Sequence, residues 1–287
     1  MVDDEFREWE MLATLILAKG LQNIDSEAEG LELRLKELRK SKKEITDLHQ
    51  VMENATRNRE EGQWCHYLNE VLDQDRVKKL EELSDKNPFV SAEDLEKIAK
   101  HEAEKCLIDL PKTLPEALDS VGLPVDGTSK FPKFTIRENY IKIEINERSF
   151  KASITPTNGK TIEVNADVPS IVKIVVAEDQ RLFSKDFDSN TFVHCLVETF
   201  KGFKTSREKN LQGSLSWKEL VKNWVGPKIS ADELGAQLGM TIRGSHHLLD
   251  DNGVLFNQEK GSENSLKPFG IDLLIGTLEI RFGEKRG

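Results

Sequence analysis

Hydrophobic positions in the first fifth of the chain recur at intervals of three and four. Ile24, Leu31, Leu38, Ile45 and Met52 stand seven residues apart, and Leu21, Ala28 and Leu35 take the companion positions of the same heptad. An α-helix turns once every 3.6 residues, so this spacing gathers the apolar side chains into one narrow seam. Lys42 and His49 fall on that seam and weaken it toward its distal end, while mixed charges fill the positions between, as a solvated coil surface requires. The pattern predicts a coiled coil whose pairing residues are Leu21, Ile24, Leu31, Leu35, Leu38, Ile45 and Met52. An amphipathic helix packed on its own domain is the alternative. The helix is expected to begin near Phe6 and Trp9 and to stop around Asn58, because residues 57–62 lose all apolar side chains and include Gly62. Trp64, Leu68, Val71, Leu72, Leu80 and Leu83 then resume a helical period, which predicts a helical hairpin. Asn87-Pro88 closes it, and Ser91 followed by Glu93 and Asp94 resembles an N-cap for another helix to about Leu107.

Pro111, Pro115, Pro124 and Pro132 crowd the next stretch together with Gly122, Gly127 and Ser129. Proline removes a backbone donor and fixes φ, so residues 111–133 are expected to be a linker with at most a turn or two of helix at 114–121. Beyond it the period changes to two. Ile141, Ile143 and Ile145 alternate with polar residues, Phe150, Ala152 and Ile154 form a second such run, and Ile162 and Val164 a third. Asn158-Gly159 between the last two tolerates the positive φ of a tight hairpin turn. The β-branched run Ile171–Val176 is expected to be the most buried strand. An amphipathic helix follows from Asp188, with Phe192, Cys195, Leu196 and Phe200 inward.

Ser216 with Glu219, and Ser230 with Glu233, are two capping boxes, each opening a short helix. Leu234, Gly235, Leu238, Gly239, Met240 and Leu248 fall at the offsets of a helix-turn-helix, with Gly239 in the tight turn and Gly235 at the close approach of two helices. Val254–Phe256 and Ile271–Ile275 flank a polar loop that suits a winged hairpin. Residues 216–282 thus resemble winged-helix domains, although Ser245 stands where a branched apolar residue is usual. The expected fold class is α+β multidomain: a coiled-coil and helical-hairpin arm over 1–110, a Pro-rich linker over 111–133, a four-stranded antiparallel module with a helix over 134–210, and a winged-helix-like domain over 211–287.

Charge sharpens this division. The net charge of −10 lies wholly in residues 1–110, which hold 27 acidic and 17 basic side chains; the remainder carries 24 of each. Phosphate attraction needs local positive charge, so the N-terminal part is a poor nonspecific binder of nucleic acid, and the C-terminal part is merely neutral. The acidic start, Met1 to Glu5, lacks the positive residues of a targeting segment, and the longest apolar run, Leu12 to Ala18, is too short to span a bilayer. Cys65, Cys106 and Cys195 are odd in number and dispersed, which predicts reduced thiols in a cytoplasmic protein. No membrane association is expected.

Candidate chemistry is sparse. His246-His247 point about 100° apart on a helix, His101-Glu102 begins no H-E-x-x-H, and Cys65-His66 and His194-Cys195 read as ordinary helix residues. There is no nucleophile elbow, Walker loop or G-x-G-x-x-G. Asp272 with Glu279-Ile280-Arg281 resembles the acidic pair and basic residue of metal-dependent nucleases, but an alternating edge strand explains the same residues. The expectation is therefore a non-enzyme with no catalytic residues, no metal and no cofactor. Nucleic-acid or partner contact would fall to Arg243, Ser245, His246 and His247 on the second helix and to Lys260 and Lys267 on the wing, with Asp250-Asp251 opposing a phosphate backbone. The order of arm, middle module and terminal winged helix is similar to accessory subunits of SMC-type ATPases that act on DNA. It implies a non-catalytic adaptor or assembly subunit that joins with itself or a larger protein through the coil. A homodimeric winged-helix regulator bound to DNA is the alternative, and a metal-dependent nuclease a third reading.

Overall fold

The computed structural model describes residues 2–83, 92–206, 214–258 and 265–280. The chain combines helix and sheet and divides into two units, residues 1–57 and residues 58–287. The first unit is carried by one helix, α1, Val2–Glu60, close to the bounds that the heptad pattern implies. Residues 2–60 contain no proline, and Gly20 and Gly30 cost the helix only about 1 kcal/mol each.

The second unit opens on a broken helix: α2, Trp64–His66, a π turn at Tyr67–Val71, and α3, Gln74–Leu83. Leu72 leaves helical geometry and separates the pieces. Helix α4, Ala92–Ser120, then runs through both Pro111 and Pro115, where the sequence predicted a linker. Ala99, Ala103, Leu107, Leu110, Leu114 and Leu118 are all buried along one stripe of it. Six buried apolar side chains at helical spacing outweigh roughly 3 kcal/mol of penalty per internal proline. The expected cap at Ser91 and the stop at Asn87-Pro88 lie outside the described residues.

Strands β1, Lys133–Ile136, β2, Ile141–Asn146, β3, Lys151–Pro156, and β4, Ile162–Asn165, form an antiparallel meander in chain order. The alternation of Ile141, Ile143 and Ile145 points them all into the core. The expected turn lies between β3 and β4, with Asn158 at φ 64°. One strand assignment is corrected. Residues 171–176 belong to helix α5, Val168–Leu182, and the fourth strand is β1, upstream of the other three. Ile171, Val175, Asp179 and Leu182 are the buried residues of α5, and their spacing of four, four and three is helical. Pro169 in the first turn supports the start. The β-branched run concealed this period because Val172 and Val176 sit half-buried beside it.

Helix α6, Ser189–Ser206, starts as the sequence predicted, with Asp188 accepting from the Thr191 N–H at 2.9 Å. Phe192, Leu196 and Phe200 are buried and Cys195 is half-buried. There follow β5, Ser214–Ser216, α7, Trp217–Asn223, α8, Ala231–Asp251, β6, Val254–Gln258, and β7, Ile275–Ile280. Both capping boxes form: the Glu219 and Glu233 carboxylates accept from the Ser216 and Ser230 N–H groups at 3.1 and 2.8 Å. Strands β5, β7 and β6 make an antiparallel sheet in that order. The helix-turn-helix within 231–250 does not form as expected. Helix α8 continues through Gly239, and its one break is at Ser245, with φ −147° and ψ 43°. The break in helix between the two capping boxes falls earlier, between α7 and α8. Residues 271–274 precede the strand that they were expected to form.

Two cores result. One packs the α4 stripe against the inner face of the meander and α5; the other packs α6, α7 and α8 against β5, β7 and β6.

Candidate functional site

The residues assigned to pairing lie along α1 and remain in solvent. Ile24, Leu31 and Leu38 are 64%, 63% and 60% exposed, and Leu21, Leu35, Ile45 and Met52 are exposed as well. A helix surrounded by water gains nothing from such residues, whereas burying one large aliphatic side chain stabilises by roughly 1.5–3 kcal/mol. Trp9, Leu12, Leu15 and Ile16 are exposed too, but at positions c, f, b and c of the same heptad, away from the seam that runs from Leu21 to Met52. Contiguous apolar surface of this extent is a mark of an interaction site.

The C-terminal candidates divide. Arg243 donates to Glu138 Oε1 at 2.9 Å, and its guanidinium lies 5.1 Å from the Phe269 ring centre, so the side chain is held against the loop between β1 and β2. Lys267 is exposed at its side chain but fixed at its backbone: its N–H donates to Asn158 Oδ1 at 3.0 Å, and its carbonyl accepts from Asn158 Nδ2 at 2.9 Å. The 267–270 segment is thus fixed both to Arg243 of α8 and to Asn158 in the turn between β3 and β4. Ser245 marks the break in α8. Beyond it His246 contacts Asp250 at 2.9 Å and His247 is exposed. Lys260 lies outside the described residues.

The sequence reading missed a joint that fuses the meander to α8. Asp232 opens α8 and is buried, and its carboxylate meets Arg181 of α5. Arg181 also reaches Glu178 and, at 3.2 Å, Glu233. Burial raises the Asp232 pKa, but hydrogen bonds from Arg181 and Ser230 outweigh it and hold the carboxyl below its ordinary value. The Tyr140 hydroxyl donates to the Asp232 carbonyl at 2.7 Å, and burial raises its pKa well above a free phenol. Tyr140, Phe183 and Phe269 pack edge to face around one point. Two glycines let the chain close over this cluster. The Phe269 N–H donates to Gly235 O at 3.0 Å, and a Cβ on Gly239 would stand 2.3 Å from Phe269 O. The sequence signal was Gly235 and Gly239, four residues apart on one face of α8. They accept a crossing strand of backbone; the reading had given them to a turn and to a second helix.

A second buried polar point ties α2 to α5. Asp167 accepts from the Cys65 and His66 N–H groups at 2.9 and 2.6 Å. Its burial raises its pKa, with those two donors pulling the other way, and burial likewise raises both the Cys65 and Cys106 thiols. High thiol pKa values mean little thiolate, so these cysteines are poor nucleophiles. The acidic pair Asp272 and Glu279 is split: Asp272 is exposed before β7, and Glu279 lies on β7, paired with Ser214 and Leu255. Strand β7 is the central strand of its sheet, not the edge that the alternation suggested. Arg281 lies outside the described residues. Among the described residues no group of three or more His, Cys, Asp or Glu is placed to hold a metal ion, and no helix is long and apolar enough to cross a membrane.

The fold and these surfaces define a mixed helix-and-sheet protein with a long N-terminal helix. Comparison with family models, curated proteins and solved structures found no match for this chain.

Proposed function

We propose that this protein is a non-catalytic assembly subunit, with α1 as its coiled-coil arm and residues 58–287 as the body that the arm delivers to a complex. The observation that carries this reading is the exposed seam from Leu21 to Met52, whose burial needs another helix. The partner is a second copy of the chain or a larger protein. Replacing Leu31 and Leu38 together with Asp should remove association, which light scattering reads as molar mass and a pull-down from native cells reads as loss of co-purified protein. Unchanged mass and unchanged capture in the double variant would sink the proposal.

A DNA-reading role is the second reading, and the element order favours it. Helix α6, strand β5, helices α7 and α8, and the β6–β7 hairpin follow the order of a winged helix, and the strand order β5-β7-β6 supports the same reading. In that arrangement α8 is the helix offered to the major groove. The first half of α8 is buried, however, between the α6–α7 core and the meander, at Asp232, Gly235, Ala236 and Gly239. Only its end beyond Met240 offers solvated side chains, where Arg243 is paired and Asp250 and Asp251 oppose phosphate. We therefore favour protein docking for this domain. Binding of duplex DNA at ~50 mM salt that weakens in Arg243→Ala would restore the regulator, since a lost base contact costs about 1–3 kcal/mol. Magnesium-dependent cleavage lost in Asp272→Ala would restore the nuclease.

A further inference from the structure

The charges beside the seam select its partner. We infer that the arm pairs with a second copy of itself in antiparallel orientation, with Leu35 of one chain layered on Leu38 of the other at the centre. This rests on the assembly reading above and adds the partner and its direction. In the heptad, Leu21, Ala28, Leu35, Lys42 and His49 occupy position a, and Ile24, Leu31, Leu38, Ile45 and Met52 position d. Asp25, Glu32, Arg39 and Thr46 flank them at position e, and Glu27, Arg34 and Ser41 at position g. The whole segment is one uninterrupted helix with these seam residues in solvent.

A parallel in-register pair sets each g residue against the e residue of the next heptad on the other chain. Glu27 then faces Glu32 and Arg34 faces Arg39, and the two-fold axis repeats both contacts. It also stacks each a residue on itself, so that Lys42 meets Lys42 and Ala28 leaves a gap against Ala28. Every one of these contacts is repulsive or underpacked.

The antiparallel pair reverses each of them. There a residues layer on d residues, e faces e, and g faces g. Full overlap of the seam sets Leu21 against Met52, Ala28 against Ile45, Leu35 against Leu38, Lys42 against Leu31 and His49 against Ile24. Small Ala28 receives the branched Ile45. The Lys42 stem covers Leu31 while its ammonium reaches water. Glu32 meets Arg39 twice, Asp25 meets Thr46, Arg34 meets Ser41 and Glu27 meets Leu48, so among these e and g pairs no like charges face each other. In this register the acidic stretch 25–32 lies against residues 41–48, where Lys42 and Lys43 supply opposite charge, and the two-fold axis repeats that contact.

Charge reversal separates the two orientations by sign. In the antiparallel pair, Glu32→Arg or Arg39→Glu alone puts like charges together at two contacts and should weaken self-association roughly tenfold, while the double exchange restores it. In the parallel pair each single change replaces a repulsion by an attraction, so association tightens. The dissociation constant from sedimentation equilibrium of the full chain reads this directly. Disulfide trapping supplies a readout free of charge effects. When a chain carrying Ala28→Cys is mixed with one carrying Ile45→Cys, brief oxidation should join position 28 to position 45 of the other chain, identified by peptide mass. Homopairs 28–28 and 45–45, or tightening in the single reversals, would overturn the antiparallel pair and leave the assembly reading intact. Wild-type chain that stays monomeric at micromolar concentration would also overturn it. Loss of partner capture in Leu31→Asp/Leu38→Asp then decides separately whether the seam docks on a larger protein.

Discussion

Helices α1 and α8 are both rich in aliphatic residues, and they meet opposite fates. Along α1 the large side chains of the seam between Leu21 and Met52 stand in solvent. Along α8, Leu234, Leu238 and Leu249 turn to one core while Gly235, Ala236 and Gly239 receive the meander and the 267–269 segment on the other side. The difference lies in side-chain size. A face with large apolar residues at most of its three- and four-residue intervals suits another regular helix, because knobs need holes of matching period. A face notched by two glycines suits irregular backbone, which can approach only where no Cβ stands in the way. On the function proposed above, one helix is suited to a partner with its own period, whereas the other has a fixed place in its own domain.

The largest effect should come from filling a notch. Gly239→Val sets side-chain atoms against the backbone of Phe269, which has no rotamer through which to escape. We expect a loss of about 3 kcal/mol or more in the stability of residues 58–287, measured by urea unfolding. Stability within 0.5 kcal/mol of wild type would show that the joint is not close-packed and would remove the contrast with α1.

Next comes the buried charge at the start of α8. Arg181→Met leaves the Asp232 carboxylate without its cation and should cost about 2–3 kcal/mol at pH 7, below the usual range for a fully buried pair because Arg181 keeps a third of its side chain in water. The pH dependence follows from sign. In the wild type the Asp232 pKa is depressed, so its contribution is present above the ordinary value of 3.8 and is lost as pH falls through the lower folded value. Without Arg181, burial dominates and the folded pKa rises, which favours the protonated form. The deficit of Arg181→Met should then narrow as pH falls below that raised value toward 3.8. A deficit that stays constant from pH 7 to pH 3 would contradict the role assigned to the pair.

The smallest effect concerns Arg243. Its contact with Glu138 is solvent-exposed and its stacking on Phe269 is one-sided, so Arg243→Ala should cost no more than about 1 kcal/mol, read as a slight fall in Tm. A loss above 2 kcal/mol would mean that Arg243 belongs to the joint as firmly as Arg181.

These helices also mark how far the sequence could be read. The long seam revealed α1 because it repeats its own signal, and the loss of apolar residues at 57–62 placed its end within two residues of Glu60, while its start at Val2 lies ahead of the expected Phe6 to Trp9. Both capping boxes and the turn at Asn158 were legible since each is a local hydrogen-bond or φ requirement. The α4 prolines and the α5 β-branched run misled because local propensity opposed a tertiary gain: Leu107, Leu110, Leu114 and Leu118 hold one helix together, and Ile171, Val175 and Leu182 the other. The joint was invisible for a different reason. Arg181 and Asp232 stand 51 residues apart, and Asn158 and Lys267 stand 109 apart, with no periodicity to connect them.

Amide hydrogen exchange over a dilution series tests the central claim most directly, because it reads α1 and α8 in one sample. An isolated helix gains little protection from its own propensity, so α1 amides should be protected at high chain concentration and exchange fast after dilution. The α5 and α8 amides should keep the same protection throughout. Concentration-independent protection of α1 across a hundredfold dilution would contradict the account, since the seam would then be covered without a second chain.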